Sequence, residues 1–194
     1  MRKRSLAVIL GVMLSMLVLS TSYLQGQTKH TPRGTATYLS HDDLTAIKQK
    51  SADQPVNDTQ VAVVDVNNNE YHVGVGIVHR SKASVNTPAG GGVEHSDITE
   101  VYYIISGDAT LNTGGTIKDL KDPQPGAPNS PSGPTSRGGE ITGGVSKAVG
   151  PGDVVVIPPN TPHRFSKINS DEIVYVVVRP DPHKLLPVMN LLTK

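Results

Sequence analysis

Cysteine is absent from the 194-residue chain. This excludes a disulfide framework, a thiolate metal site, a cysteine nucleophile and a lipid-modified cysteine. Tryptophan is absent too, and there is one phenylalanine, which argues against an aromatic stacking surface. Neither sign of charge dominates: 18 Lys and Arg stand against 17 Asp and Glu, for a net charge of +1. With no basic block beyond the first few residues, nucleic acid is not an expected partner. The sequence has no G-x-S-x-G elbow and no phosphate-binding P-loop. Gly74-Val75-Gly76 reads as strand with no helix after it, so it is not a dinucleotide fingerprint. Asn57-Asp58-Thr59 fits a glycosylation acceptor, a pattern short enough to arise by chance. No solenoid-type repeat is present. Without disulfides, stability must come from a packed core, which about 165 residues can supply.

Long apolar runs are scarce as well. The one clear example, residues 6–19, is shorter than the roughly 20 residues a membrane helix needs. It follows Met1-Arg2-Lys3-Arg4 and precedes Ser20-Thr21-Ser22. A basic start, a short apolar core and small residues predict a signal peptide over residues 1–22, cut at 22/23 or at 26/27. The expected location is therefore outside the cytoplasm, periplasmic or secreted, with no stable membrane span after cleavage. An uncleaved anchor is the alternative.

Residues 23–60 read as a flexible lead and a short helix. Ser40 precedes His41-Asp42-Asp43, and its side chain can accept from the amide of Asp43, while the acidic pair suits the positive end of a helix. The helix is expected over residues 42–51, with Leu44 and Ile47 facing the body of the protein. The pattern then changes to period two. Strands are expected over residues 61–66, 71–80, 101–106, 109–112, 154–157, 163–167 and 173–179, with Asn67-Asn68-Asn69 as a turn. Many short strands between Gly, Pro and Asn clusters predict an all-β barrel or sandwich. Residues 112–145 interrupt the alternation with dense Gly and Pro. They read as an insertion, either a surface loop or a rim over the barrel mouth. Residues 181–194 read as a C-terminal tail.

Two stretches carry candidate chemistry. In the first, Pro151-Gly152-Asp153 turns into the strand Val154-Val155-Val156-Ile157. Pro158-Pro159-Asn160-Thr161-Pro162 then delivers His163 onto the next strand. The prolines restrict the backbone just ahead of His163, which pre-places its imidazole as a metal ligand requires. In the second, His95-Ser96-Asp97-Ile98-Thr99-Glu100 leads into Val101-Tyr102-Tyr103-Ile104-Ile105-Ser106-Gly107. Strand alternation puts Glu100, Tyr102 and Ile104 on one face. Tyr102 would then stand beside Glu100 and donate to a bound substrate, or pack with its hydroxyl satisfied locally. Phe165, two residues after His163, should face inward too.

Together these stretches resemble the two motifs of the cupin superfamily. Glu100 and Gly107 match the end of the first motif, G-x5-H-x-H-x3 or 4-E-x6-G, and His95 matches its second histidine. Val93 stands where the first histidine would be, and Thr87 where the opening glycine would be. In the second motif, G-x5-P-x-G-x2-H-x3-N, Gly152, Pro158 and His163 match. Asn160 replaces a glycine, and Asn also tolerates a left-handed turn. Lys167 replaces the final asparagine. The resemblance spans roughly residues 61–180. It implies a double-stranded β-helix barrel, often with a metal held by three histidines and a glutamate, and it implies a homodimer more readily than a monomer.

The residues point the same way. Two imidazoles and a carboxylate, His95, His163 and Glu100, suit Mn, Fe, Ni, Cu or Zn, and three protein ligands leave positions for water or substrate. Candidates for a fourth ligand are Asp97 or Glu94 through a bulge, and His72 or His79 from a neighbouring strand. The alternative is a three-ligand site. Arg80 and Arg164 flank the expected barrel mouth, as clamps for an oxyanion or as surface charge. His30, His41 and His183 read as solvated. The expectation is thus an exported single-domain cupin binding a divalent metal and a small polar molecule. It is either a metal-dependent enzyme, such as an oxygenase or isomerase, or a non-catalytic small-molecule binder or structural cupin.

Overall fold

Short runs of Val, Ile and Thr, several closed by a left-handed turn, build the chain into strands. Asn67, Asn68 and Asn69 all have positive φ, as do Gly107, Gly152 and Asn160. Positive φ suits Gly and Asn best. A methyl group on Gly107 would lie 2.1 Å from the carbonyl oxygen of Glu172, so the turn after the first motif has no room for another residue. The computed structural model describes residues 35–121 and 132–192. The chain divides into Met1–Ala36, of which only residues 35 and 36 are described, and Thr37–Lys194. The expected signal peptide, its cleavage positions and His30 lie outside the described residues.

Helix α1 (His41–Gln49) opens on the expected cap. The Ser40 hydroxyl accepts from the Asp43 amide at 3.1 Å, and the Asp43 carboxylate accepts from the Ser40 amide at 3.2 Å. This reciprocal pairing satisfies two of the helix's unpaired donors. Ile47 packs with Val61, Ile77 and Val174 on the outer side of the larger sheet. No helix among the described residues is long and apolar enough to cross a membrane.

Thirteen strands follow among the described residues: β1 (Val56–Val66), β2 (Tyr71–Ser81), β3 (Val93–His95), β4 (Glu100–Ser106), β5 (Ala109–Thr113), β6 (Thr116–Ile117), β7 (Thr135–Arg137), β8 (Ile141–Thr142), β9 (Val145–Val149), β10 (Val154–Ile157), β11 (His163–Ile168), β12 (Glu172–Asp181) and β13 (Met189–Asn190). A six-stranded sheet runs β10-β4-β12-β2-β1-β13, a five-stranded sheet runs β7-β3-β11-β5-β9, and β6 pairs with β8. Every pairing is antiparallel. The main apolar core joins Val78, Ile104, Tyr175 and Val177 of the larger sheet to Leu111, Phe165 and Ile168 of the smaller. The fold is the all-β double-stranded β-helix barrel expected from the strand pattern.

Three local expectations need correction. The described part of residues 112–145 is not all loop. It holds β6, β7, β8 and the start of β9. β6, β7 and β8 have two or three residues each, too short to show a period, and β9 is exposed at all but its last position. Second, β1 begins five residues before position 61, and a bulge between Gln60 and Ala62 separates its two halves. Third, the C-terminal tail contributes β13, which pairs with β1 at Ala62 and Val63.

Candidate metal centre

Three strands place the three expected ligands. His95 ends β3, Glu100 begins β4, and His163 begins β11. The first and last lie in the smaller sheet and Glu100 in the larger, so the group bridges the two sheets. Their ligand atoms all lie within 4.8 Å of one another, and all three residues are buried. Asn160 has φ of 55°, the left-handed turn inferred from the proline-rich run, and its amide donates to the His95 carbonyl at 2.8 Å. The turn that positions His163 is thereby tied to the strand end that positions His95.

The hydrogen bonds around the rings fix their tautomers. The Nδ1 of His163 donates to the Thr161 carbonyl oxygen at 2.9 Å, an atom that can only accept. The Nδ1 of His95 lies 2.9 Å from the Thr135 hydroxyl oxygen, whose own proton goes to the Gly133 carbonyl at 2.9 Å, so His95 is again the donor. In each neutral ring the Nε2 is then a bare acceptor. Both point at Glu100 Oε2, from 3.3 Å for His95 and 3.4 Å for His163. The Nε2 of His163 is buried without a hydrogen-bond partner.

Three acceptors thus face one another across a small space, an arrangement that a cation would satisfy. Bonds of about 2.0–2.1 Å to a tetrahedral metal put neighbouring ligand atoms about 3.4 Å apart, in agreement with the two contacts to Glu100. Each imidazole also donates its other N–H to an oxygen, the outer support that metal-bound histidines have. The donor set and its surroundings fit a divalent transition metal.

The electrostatics hold the ligands in binding form. Burial pushes the His95 imidazole below its ordinary pKa, although Glu100 opposes this. Burial would raise the Glu100 carboxyl, but the charge on Arg179 outweighs it and holds the carboxyl well below the usual carboxylate range. Arg179, in β12, went unnoticed in the sequence because it is the sole charge in a run of valines. It is 1% exposed. Its Nε donates to Glu100 Oε1 at 2.9 Å, and its Nη1 donates to Asp58 Oδ1 at 3.2 Å and to Gln60 Oε1 at 2.9 Å. Gly76 makes room for it, since a Cβ there would sit 3.3 Å from the guanidinium and 2.9 Å from the Thr59 carbonyl. With Oε1 held by Arg179, Oε2 is the oxygen left to face the histidines.

Tyr102 lies inward beside Glu100, but its hydroxyl donates to Glu100 Oε2 at 2.7 Å. Of the two readings of Tyr102, the hydroxyl satisfied locally is the one that fits, and the bond orients the carboxylate. Burial, and next the charge on Glu100, push its phenol well above the ordinary value, so it stays a donor. Phe165 faces inward as expected, 5.7 Å from Tyr175.

The remaining candidates lie elsewhere. His72 pairs with the Leu186 carbonyl at 2.9 Å and with Asn69 at 3.2 Å, and His79 pairs with the Gln54 carbonyl at 2.8 Å. Neither joins the cluster, nor do Asp97 and Glu94, and Val93 is buried. His41 is exposed near Thr45, and His183 is exposed. Arg80 is not a surface charge. Its Nε donates to the Tyr175 hydroxyl at 3.2 Å and its guanidinium carbon lies 6.0 Å from the Phe165 ring centre. Arg164 follows His163 on the opposite strand face and reaches the Val85 carbonyl at 3.3 Å.

The double-stranded β-helix and the spacing of His95, Glu100, Gly107, Gly152, Pro158 and His163 agree with the cupin superfamily. No family model matches the sequence, and no curated protein matches it. Several solved structures are similar. One, of the DMSP lyases RdDddP and RnDddQII, has 19% identity and a TM-score of 0.33, over 56% of this chain and 38% of that one. The cupin domain of Schizosaccharomyces pombe Cnp3 has 8% identity and a TM-score of 0.39, over 66% of each chain. The polyketide cyclase RemF from Streptomyces resistomycificus has 14% identity and a TM-score of 0.38, over 73% of this chain and 74% of that one. The chain spans less than two thirds of the length of the lyase chain.

Proposed function

We propose that this chain is an exported cupin that binds one divalent transition metal through His95, Glu100 and His163 and presents a small polar molecule to it. The observation that carries this reading is the convergence of three buried acceptor atoms, with both imidazoles locked by their Nδ1 donors into the tautomer that leaves Nε2 free. Mn, Fe, Zn, Ni and Cu all accept this mixed nitrogen and oxygen set. A bound metal there supplies Lewis acidity or activates dioxygen. Arg179 and Tyr102 hold the Glu100 carboxylate, the Nδ1 hydrogen bonds orient the two rings, and a metal held by these three residues would have room for a further ligand. An oxygenase or an isomerase is the enzyme class these roles serve.

A non-catalytic small-molecule binder is the second reading, favoured by buried Val93 in the place of a further histidine. Zinc titration of chelator-treated protein tests the shared premise. One equivalent should bind and raise the melting temperature, with both effects lost in His95→Ala. Absence of any stabilisation by Zn, Mn, Fe, Ni or Cu would leave an empty structural barrel as the better account. The export component rests on the N-terminal sequence alone.

A further inference from the structure

Arg137 closes β7, at the edge of the smaller sheet, directly opposite Val93 of β3. Val93 in turn lies opposite His163 of β11. Directly opposed residues of antiparallel strands project to the same face. Arg137, Val93 and His163 therefore form one row across three strands. The neighbouring row confirms which face this is, since Thr135 lies opposite His95 and accepts from its ring. With adjacent strands about 4.8 Å apart, Arg137 is about 10 Å from His163 at the backbone, with one valine side chain between them.

Among the described residues, the Arg137 side chain has no hydrogen-bond or ion-pair partner, and it is exposed to incoming molecules. Burial lowers its pKa, Arg80 lowers it further, and Asp58, Glu100 and Tyr102 oppose the shift. The strand register puts Arg137 on the face that carries His95 and His163. The other two interior arginines are engaged. Arg80 holds the Tyr175 hydroxyl and the Ala89 carbonyl, and Arg179 holds Asp58 and Glu100. Arg80, Arg137 and Arg179 outnumber Asp58 and Glu100 here, and a divalent metal would add to the positive charge, a balance that favours an anionic ligand.

We propose that Arg137 is the clamp for a carboxylate-bearing ligand of the metal centre, a site that takes small organic acids. This rests on the metal reading above and specifies its ligand class. A single unengaged planar fork matches a planar carboxylate through two parallel N–H···O bonds. Because metal and carboxylate offset each other's charge, each tightens the binding of the other, by the same factor in both directions.

Calorimetric titration of glycolate and, separately, sulfate into zinc-loaded protein tests the proposal. Wild type should bind glycolate, Arg137→Gln should weaken it roughly tenfold or more, and Arg137→Lys should fall between them. Arg164→Gln, on the opposite strand face, should stay within about twofold. Zinc affinity measured without carboxylate should not fall in Arg137→Gln, and glycolate should raise it in wild type only. Equal glycolate affinity in wild type and Arg137→Gln would overturn the proposal, and so would Arg137-dependent binding of sulfate in preference to glycolate. If wild type takes up none of Zn, Mn, Fe, Ni and Cu, the metal reading fails on that measurement alone. Glycolate titrated into the metal-free protein then decides the clamp: dependence on Arg137 supports it and independence overturns it.

Discussion

Glu100 Oε2 lies 3.4 Å from His163 Nε2, and the tautomer set by Thr161 leaves no proton between them. That separation is long for an N–H···O hydrogen bond, and His95 repeats the relationship from the other side at 3.3 Å. Two acceptors held this close in a buried site are costly unless a cation lies between them. The surrounding strands do not relax the contact, because Arg179 and Tyr102 hold the carboxylate in place.

His163→Ala should abolish stoichiometric metal binding while leaving the β-sheet circular dichroism intact. The core is supplied by residues such as Ile104, Tyr175 and Val177, which do not depend on the imidazole. Metal content by mass spectrometry and the far-ultraviolet spectrum, measured on one sample, check both halves. Full metal content in the variant would remove His163 from the ligand set.

Arg179→Met should destabilise the protein by about 3–5 kcal/mol, the usual cost of removing one partner from a buried ion pair. It leaves Glu100 buried and Asp58 partly buried with their principal cation gone. Urea unfolding of the metal-free protein measures the effect. Bound metal should recover part of the loss, since it supplies positive charge to Glu100. A change below about 1 kcal/mol would mean that Arg179 contributes no more than an exposed pair does.

The metal-free protein should lose stability on acidification. His95 is held below its ordinary pKa in the fold, so below about pH 6.5 the unfolded chain takes up a proton that the folded chain refuses. Glu100 is also held low, so its contribution is full above about pH 4.3 and is lost as the pH falls through its folded value. Both terms favour folding at higher pH. Melting temperatures should decline in two stages on acidification, one below about pH 6.5 and one below about pH 4.3, and His95→Gln should remove the upper one. A stability that rises on acidification would contradict these directions.

Export predicts a shortened mature chain. Mass spectrometry of protein recovered from outside the cytoplasm should find the N-terminus near residue 23 or residue 27. A mature species beginning at Met1 would contradict a cleaved signal peptide.

The sequence announced His163 because Pro158, Pro159 and Pro162 leave the turn few conformations, and it announced Glu100 and Tyr102 because their strand alternates. Asn160 was legible as a left-handed position for the same local reason. Arg179 was hidden because its partners Asp58 and Gln60 lie 121 and 119 residues away, and one arginine in a valine strand carries no local signal. Its trace is Gly76, a strand glycine that leaves space for the guanidinium. β3 and β7 were missed because three residues amid glycines and prolines show no period, yet the β3–β7 pairing supplies Thr135 to His95 and sets Arg137 in the row of His163.

Elemental analysis of the native protein, purified without added metal or chelator, tests the central claim most directly. The account predicts about one equivalent of a transition metal per chain, removable by chelator and absent from His163→Ala. Native, folded protein with no metal, which takes none up when Mn, Fe, Zn, Ni or Cu is supplied, would contradict it.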